Sequence, residues 1–158
     1  MSPDDAMALG PLMEYIRDTS ISGLSAMLQP RPAARPDLDS EELGSTALTA
    51  FFNITQRWGL SAEEERTLLG APPRSTFFKW KSERAARLSA DTVERISYVM
   101  GIYKALRILL PTADAAHAWV RKPNTAYAFG GKSALERMLA GRVVDLADVR
   151  RYLDAERG

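Results

Sequence analysis

The chain has 158 residues, of which 46% are hydrophobic and 26% charged, and its formal net charge is only +1. This composition fits one globular domain, or two small domains that share an interface, and it excludes a polycation. The absence of cysteine excludes disulfides and thiolate metal sites, and no apolar run approaches the roughly 20 residues of a membrane span.

The first 44 residues are predicted to form a helix and a linker. Apolar residues between positions 4 and 18 have helical spacing, but Gly10-Pro11 interrupts them, so we expect a break or a helix that begins at Pro11. Three prolines between Gln29 and Asp37 favour an extended spacer over a proline-rich recognition segment. The start of the chain has two aspartates and no basic residue, which argues against a secretory signal and predicts a cytoplasmic protein.

The next part of the chain has a strong helical pattern. From Ser45, apolar residues recur every three or four positions until Gly59 ends the run. Ser61 and Glu64 have the spacing of a capping box, which predicts a helix over residues 61–70.

Two of the predicted helices have the outline of a helix-turn-helix. Helix 61–70 is followed by a turn with two prolines and by a second short helix over residues 74–82. In this motif the second helix enters the major groove of DNA and its N-terminal residues meet base edges. Between Arg74 and Arg87 there are five basic residues and one acidic residue, a local charge of +4 that leaves −3 for the rest of the chain. The candidate DNA contacts are Arg74, Ser75, Thr76, Lys79, Lys81, Arg84 and Arg87.

The aromatic residues of the second helix are candidates for its contact with the core. Either Phe77 or Phe78 is expected to anchor that helix on the core, and Trp80 is a further candidate for the same role.

A longer helix is predicted to follow, capped by Ser89 or Asp91 and ended by Pro111. Its apolar residues from Val93 to Leu110 form one seam, which packs either inside the chain or against a second copy. A further short helix is predicted over residues 112–120. Because no segment has the pattern of a strand, the predicted fold is all-α.

The last forty residues contain a tight turn between predicted helices. Pro123 breaks the preceding helix, and Gly130-Gly131 permits backbone angles that other residues avoid. Ser133 and Glu136 again have capping-box spacing, and a last helix is predicted to open at Asp145. The run from Gly130 to Ser133 looks like the end of a P-loop, but the required earlier glycine is replaced by alanine and no strand precedes it, so nucleotide binding is not predicted.

This stretch resembles the C-terminal toxin-binding region of the Xre/MbcA/ParS family of antitoxins. The matching residues are Trp119, Pro123-Asn124, Phe129-Gly130-Gly131, Leu135, Met138-Leu139, Gly141-Arg142 and the helix from Val149 to Leu153. The resemblance extends more loosely back to about Ser45. Family members often have a proline near Ser133 or Ala134, which this chain lacks.

The resemblance implies an Xre-like helix-turn-helix domain over residues 45–111 and a small helical toxin-binding domain over residues 112–158, after the N-terminal segment 1–44. It implies the antitoxin of a type II toxin–antitoxin system, a homodimer that binds its operator DNA as an autorepressor. It further implies that the cognate partner is a RES-domain toxin that uses NAD, and that the antitoxin covers the entrance to the toxin's active-site pocket.

Aromatic residues and arginines of the C-terminal region are the candidate toxin contacts, because such side chains are the usual anchors of interfaces. The candidates are Trp119, Asn124, Tyr127, Phe129, Lys132, Arg137, Arg142, Arg151 and Tyr152, with the tail to Gly158. At least one of the larger aromatics Trp119, Phe129 and Tyr152 is expected to be packed in the core instead.

Neither an enzyme nor a cofactor is predicted. The single histidine, His117, lies between alanines, and no cluster of histidines and carboxylates has metal-ligand spacing. Two alternatives to an antitoxin stay open. One is a stand-alone helix-turn-helix transcriptional regulator without a toxin partner, and the other is a structural interaction protein that never touches DNA.

Overall fold

A computed structural model describes residues 40–158, which form seven α-helices and no β-strand. The all-α prediction is confirmed for this part of the chain, whereas the predicted N-terminal helix and proline-rich linker lie outside the described residues. None of the seven helices is long and apolar enough to cross a membrane. The helices are α1 (Glu41–Arg57), α2 (Ala62–Leu68), α3 (Arg74–Glu83), α4 (Ala90–Leu109), α5 (Ala113–Trp119), α6 (Ala134–Met138) and α7 (Val143–Arg157).

Two predicted helix starts are wrong by a few residues. Helix α1 begins at Glu41 rather than Ser45, because the Ser40 hydroxyl accepts a hydrogen bond of 3.1 Å from the backbone N–H of Leu43 and so caps an earlier turn. Helix α7 begins at Val143, and Asp145 lies in its first turn rather than at its cap. Both capping boxes predicted for α2 and α6 are present.

Helix α4 is the central helix of the fold. It packs chiefly against α1 on one side and α7 on another, with further contacts to α5. Ser89 rather than Asp91 is its N-cap, and the side chains of Ile96, Tyr103 and Leu106 are almost completely buried. The predicted seam therefore packs inside this chain over most of its length.

Two arginines connect the N-terminal and C-terminal halves of the described chain. Arg121, just after α5, donates hydrogen bonds of 2.7 Å to the carbonyl of Gly59 and 3.0 Å to the carboxylate of Glu64. Arg95 on α4 donates one of 2.9 Å to the carbonyl of Gly141. The end of α1 and the start of α2 are thus tied directly to the segment that follows α5.

Candidate functional site

Helix α3 is anchored by one of the two candidate phenylalanines. The Phe77 ring is completely buried and lies 5.9 Å from the ring of Phe52 on α1. The Phe78 ring contacts Phe77 edge-on at 5.1 Å, yet 48% of the Phe78 surface stays exposed. Phe77 therefore anchors α3, with Trp80 half-buried beside the core.

A buried carboxylate holds the same face of α3. Glu65 on α2 accepts hydrogen bonds of 2.5 Å from the Lys81 ammonium and 2.5 Å from the Thr55 hydroxyl. The Lys81 ammonium also lies 5.8 Å from the centroid of the Phe52 ring. Lys81 thus joins α3 to α2, and its charge is directed toward the protein.

The predicted DNA contacts divide into an exposed and an inward-facing set. Exposed side chains are Arg74, Ser75, Lys79 and Arg87, and half-buried ones are Thr76, Lys81 and Arg84. Arg74 forms an exposed ion pair of 2.7 Å with Glu63, of a kind that contributes little to stability and exchanges readily with other anions. The Arg84 guanidinium lies 5.0 Å from the centroid of Phe52. Four of the seven candidates therefore remain available at an open surface.

The turn after α5 is held by backbone hydrogen bonds. Asn124 and Lys132 are joined by a bond of 3.0 Å from N–H to carbonyl, and Gly131 donates to the carbonyl of Asn124 at 2.9 Å. The Asn124 side chain accepts a bond of 2.8 Å from the N–H of Ala126. Gly130 and Gly131 have φ of 56° and 86°, the left-handed region that glycine favours. Asn124 therefore shapes the turn, and the turn presents Tyr127 fully exposed.

Three aromatic residues form a cluster beneath this turn. The Tyr152 ring on α7 lies 4.9 Å from Phe129 and 6.4 Å from Trp119, and the Trp119 and Phe129 rings are 5.9 Å apart. Phe129 is only 5% exposed, whereas Trp119 and Tyr152 are half-buried. Phe129 is thus the core member of the three, as expected of at least one of them.

Two adjacent clefts flank the turn. One, of about 700 Å³, is lined by Tyr127, Ala128, Arg137, Asp148, Arg151, Tyr152 and Ala155. The other, of about 350 Å³, is lined by Tyr127, Ala128, Phe129, Gly130, Lys132, Glu136, Arg137 and Ala140. Six of the nine candidate toxin contacts line one cleft or the other, and Tyr127 stands between them. Trp119 instead lines a smaller groove of about 210 Å³ beside α4, and Asn124 and Arg142 lie outside all three.

Two aspartates of α7 pair with arginines of the C-terminal region. Asp148 accepts hydrogen bonds of 2.6 Å from Arg137 and 2.8 Å from Arg151. Asp145 is completely buried and bonds to both the backbone N–H and the guanidinium of Arg142. Burial alone raises the pKa of the Asp145 carboxyl, but the hydrogen bonds from Arg142 and the charge of Arg137 bring it below its usual value.

The comparisons with known proteins match both halves of this arrangement. The family model described as the antitoxin Xre-like helix-turn-helix domain matches residues 37–101, and that of the antitoxin Xre/MbcA/ParS C-terminal toxin-binding domain matches residues 105–158. The uncharacterized protein y4oB of Sinorhizobium fredii (strain NBRC 101917 / NGR234) is 51% identical over 132 residues, which cover 84% of this chain and 99% of that protein. Helices α2 and α3 lie in the first matched range, and both clefts lie in the second.

Proposed function

The chain belongs to the Xre-type antitoxins, with a helix-turn-helix domain and a C-terminal toxin-binding domain, and from this premise we propose the identity of its toxin and its mode of action. The partner is a RES-domain toxin that uses NAD, and the antitoxin inhibits it by covering the entrance to its active-site pocket. As a cytoplasmic homodimer, the antitoxin also binds its own operator and represses its own transcription.

The observation that carries the toxin proposal is the exposure of Tyr127 between two clefts. The turn that carries this exposed ring is fixed by hydrogen bonds, so its backbone loses little conformational freedom on binding, which makes Tyr127 a good interface anchor. Arg137, Arg151 and Lys132 line the clefts beside the ring and supply polar contacts at the rim. A projecting ring with clefts on both sides suits a protein that covers the entrance to its partner's pocket.

The toxin proposal is tested by co-purifying the full chain with the protein encoded next to it. Tyr127→Ala is expected to weaken the complex about thirtyfold or more, because truncation of a central interface anchor costs about 2 kcal/mol or more. Thr125→Ala, at an exposed position of the same turn, is the matched control and is expected to bind as the wild type does. NAD consumption by the toxin should be suppressed by the wild type and by Thr125→Ala, and much less by Tyr127→Ala at equal concentration.

Three results would count against this proposal in different ways. Equal neutralisation by both variants would remove Tyr127 from the interface. A captured partner that does not consume NAD would contradict the RES assignment. Failure to capture any co-encoded protein, with DNA binding intact, would favour a stand-alone regulator.

Operator binding is supported by the open face of α3. Arg74, Lys79 and Arg87 are exposed cations near or beyond the N-terminal turns of the second helix of the motif. If each neutralises one phosphate, the logarithm of affinity should fall with the logarithm of salt concentration with a slope of about −2.7 per protomer. The measurement is a fluorescence titration with the DNA immediately upstream of the gene, and affinity that does not respond to salt would contradict this assignment.

A further inference from the structure

Phe78 lies on the exposed face of α3. Successive helical residues are rotated by about 100°, so Arg74, Phe78, Ser82, Ser75 and Lys79 follow one another within an arc of about 140°. Phe78 is 48% exposed, and the side chains of the other four are also exposed. Phe77 and Lys81, which contact the core and Glu65, lie four residues apart on the adjoining side of the helix, which faces the protein.

The exposed half of the Phe78 ring is not explained by the core. Phe77 already fills the position against Phe52, and Phe78 only touches the edge of Phe77. An aromatic ring set between Arg74 and Lys79 suits a partner that is anionic around the edges of the contact and apolar at its centre. Two copies of this surface would not attract each other, because its exposed cations Arg74, Lys79 and Arg87 outnumber Glu83, the one exposed acid between Arg74 and Arg87.

Duplex DNA offers that combination of properties. Its phosphates attract the flanking cations, and the apolar group that its base edges present in the major groove is the C5-methyl of thymine, a known partner of apolar side chains. Phe78 is the fifth residue of α3, within the N-terminal part of the helix that meets base edges in this motif.

We propose that Phe78 contacts thymine methyl groups in the major groove, and that it makes this antitoxin prefer operators with thymine beneath the middle of α3. The proposal rests on the operator binding proposed above and adds a residue that reads sequence to the cations that bind phosphate. Phe78 is absent from the contacts predicted from charge and hydrogen-bonding capacity alone.

The experiment compares two duplexes of the DNA immediately upstream of the gene, one natural and one in which deoxyuridine replaces thymidine. Uracil pairs as thymine does but lacks the methyl group, so the duplexes differ in the proposed contact. The full-length wild type is expected to bind the thymine duplex more tightly, by about fourfold for each methyl contacted. Phe78→Ala should lose this preference, and Phe78→Leu, which keeps an apolar side chain, should retain most of it.

For each variant, the ratio of its affinities for the two duplexes is compared, because this ratio cancels any effect that the substitution has on binding to both. Ser82→Asn serves as the control, because it alters an exposed position of the same face without adding an apolar group and should keep the preference. Since Phe78 is half-exposed, all variants are expected to fold, which circular dichroism checks. If Phe78→Ala binds neither duplex measurably, the comparison of wild type with Phe78→Leu decides the outcome.

The results that would overturn the inference can be told apart. A preference that persists in Phe78→Ala, or a wild type that binds both duplexes equally, removes Phe78 from base recognition but leaves operator binding intact. A wild type that binds neither duplex refutes operator binding itself, and the inference with it. A Phe78→Ala variant that loses toxin binding or changes its oligomeric state while keeping its preference for thymine would assign the ring to a protein contact instead.

Discussion

Replacing Gly44 by alanine should destabilise the protein, although the same change stabilises most helices. Gly44 lies in the first turns of α1, against the segment that joins α3 to α4. A β-carbon at this position would overlap the carbonyl oxygen of Ala86 and lie 2.9 Å from its carbonyl carbon, whereas ordinary contacts begin near 3.4 Å. Because both atoms belong to the backbone, the connecting segment itself must move.

The size of the effect follows from two opposing contributions. Alanine in place of glycine inside a helix gains about 1 kcal/mol, and overpacking against atoms that cannot rotate away costs about 3 kcal/mol. The expected net loss is about 2 kcal/mol in the free energy of unfolding, or about 4 to 8 °C in Tm for a chain of this size. Since the displaced segment directly follows α3, affinity for the operator should fall as well.

Urea denaturation followed by far-ultraviolet circular dichroism measures the effect, and Gly101→Ala is the matched control. A β-carbon at Gly101 would overlap the guanidinium of Arg150, which is the mobile end of a partly exposed side chain and can turn into solvent. The unfolding free energy of Gly101→Ala should stay within about 1 kcal/mol of that of the wild type. A Gly44→Ala protein as stable as the wild type would refute the close approach of Ala86, and equal losses in both variants would show that backbone overlap is not the cause.

Two further predictions concern charged residues. Lys79→Ala should make the salt slope of DNA binding shallower by about 0.9, with little change in stability. Lys81→Ala should instead destabilise the fold by about 1 to 2 kcal/mol, because it leaves Glu65 buried without its cation. Salt titrations of DNA binding and urea denaturation distinguish the two variants. If both variants changed the salt slope and the stability alike, the different placements of the two lysines would be contradicted. The pKa of the Asp145 carboxyl is lowered in the folded protein. Its carboxylate therefore stabilises the fold at pH values above the ordinary aspartate pKa of about 3.9, and this contribution is lost as the pH falls through the folded pKa. The difference in urea midpoint between wild type and Asp145→Asn should therefore be largest near neutral pH and shrink in acid, and a difference that does not change with pH would argue against charge stabilisation by Arg142.

Local features of this fold were predictable from the sequence because their causes lie within a few residues. The capping boxes at Ser61 and Ser133 depend on a partner three positions away, and the turn at Gly130 depends on its own backbone freedom. The start of α1 was missed because its cap, Ser40, is followed by Glu41 and Glu42, which show no apolar periodicity.

Features that depend on distant contacts were not predictable in the same way. Lys81 has the charge expected of a DNA contact, but its partner Glu65 is 16 residues away and becomes adjacent only when α2 packs on α3. Spacing alone also left open which of Phe77 and Phe78 is buried. The exposure of Phe78 on the same face as Arg74 could have been found by plotting residues 74–82 at helical spacing, once Phe77 is fixed as the anchor.

The central position of α4 limits how this antitoxin can change its partner. Because α4 contacts α1 in the helix-turn-helix region and α7 in the toxin-binding region, a recombination event that exchanged only the sequence after α5 would set a foreign α7 against the resident face of α4. Viable hybrids between relatives should therefore inherit α4 together with α7, or acquire compensating changes around Gly101, where the Arg150 side chain lies directly against the α4 backbone. For the same reason, cutting the chain between the helix-turn-helix domain and the toxin-binding domain would expose apolar surface on both pieces. Separating DNA binding from toxin binding therefore calls for point substitutions rather than truncation.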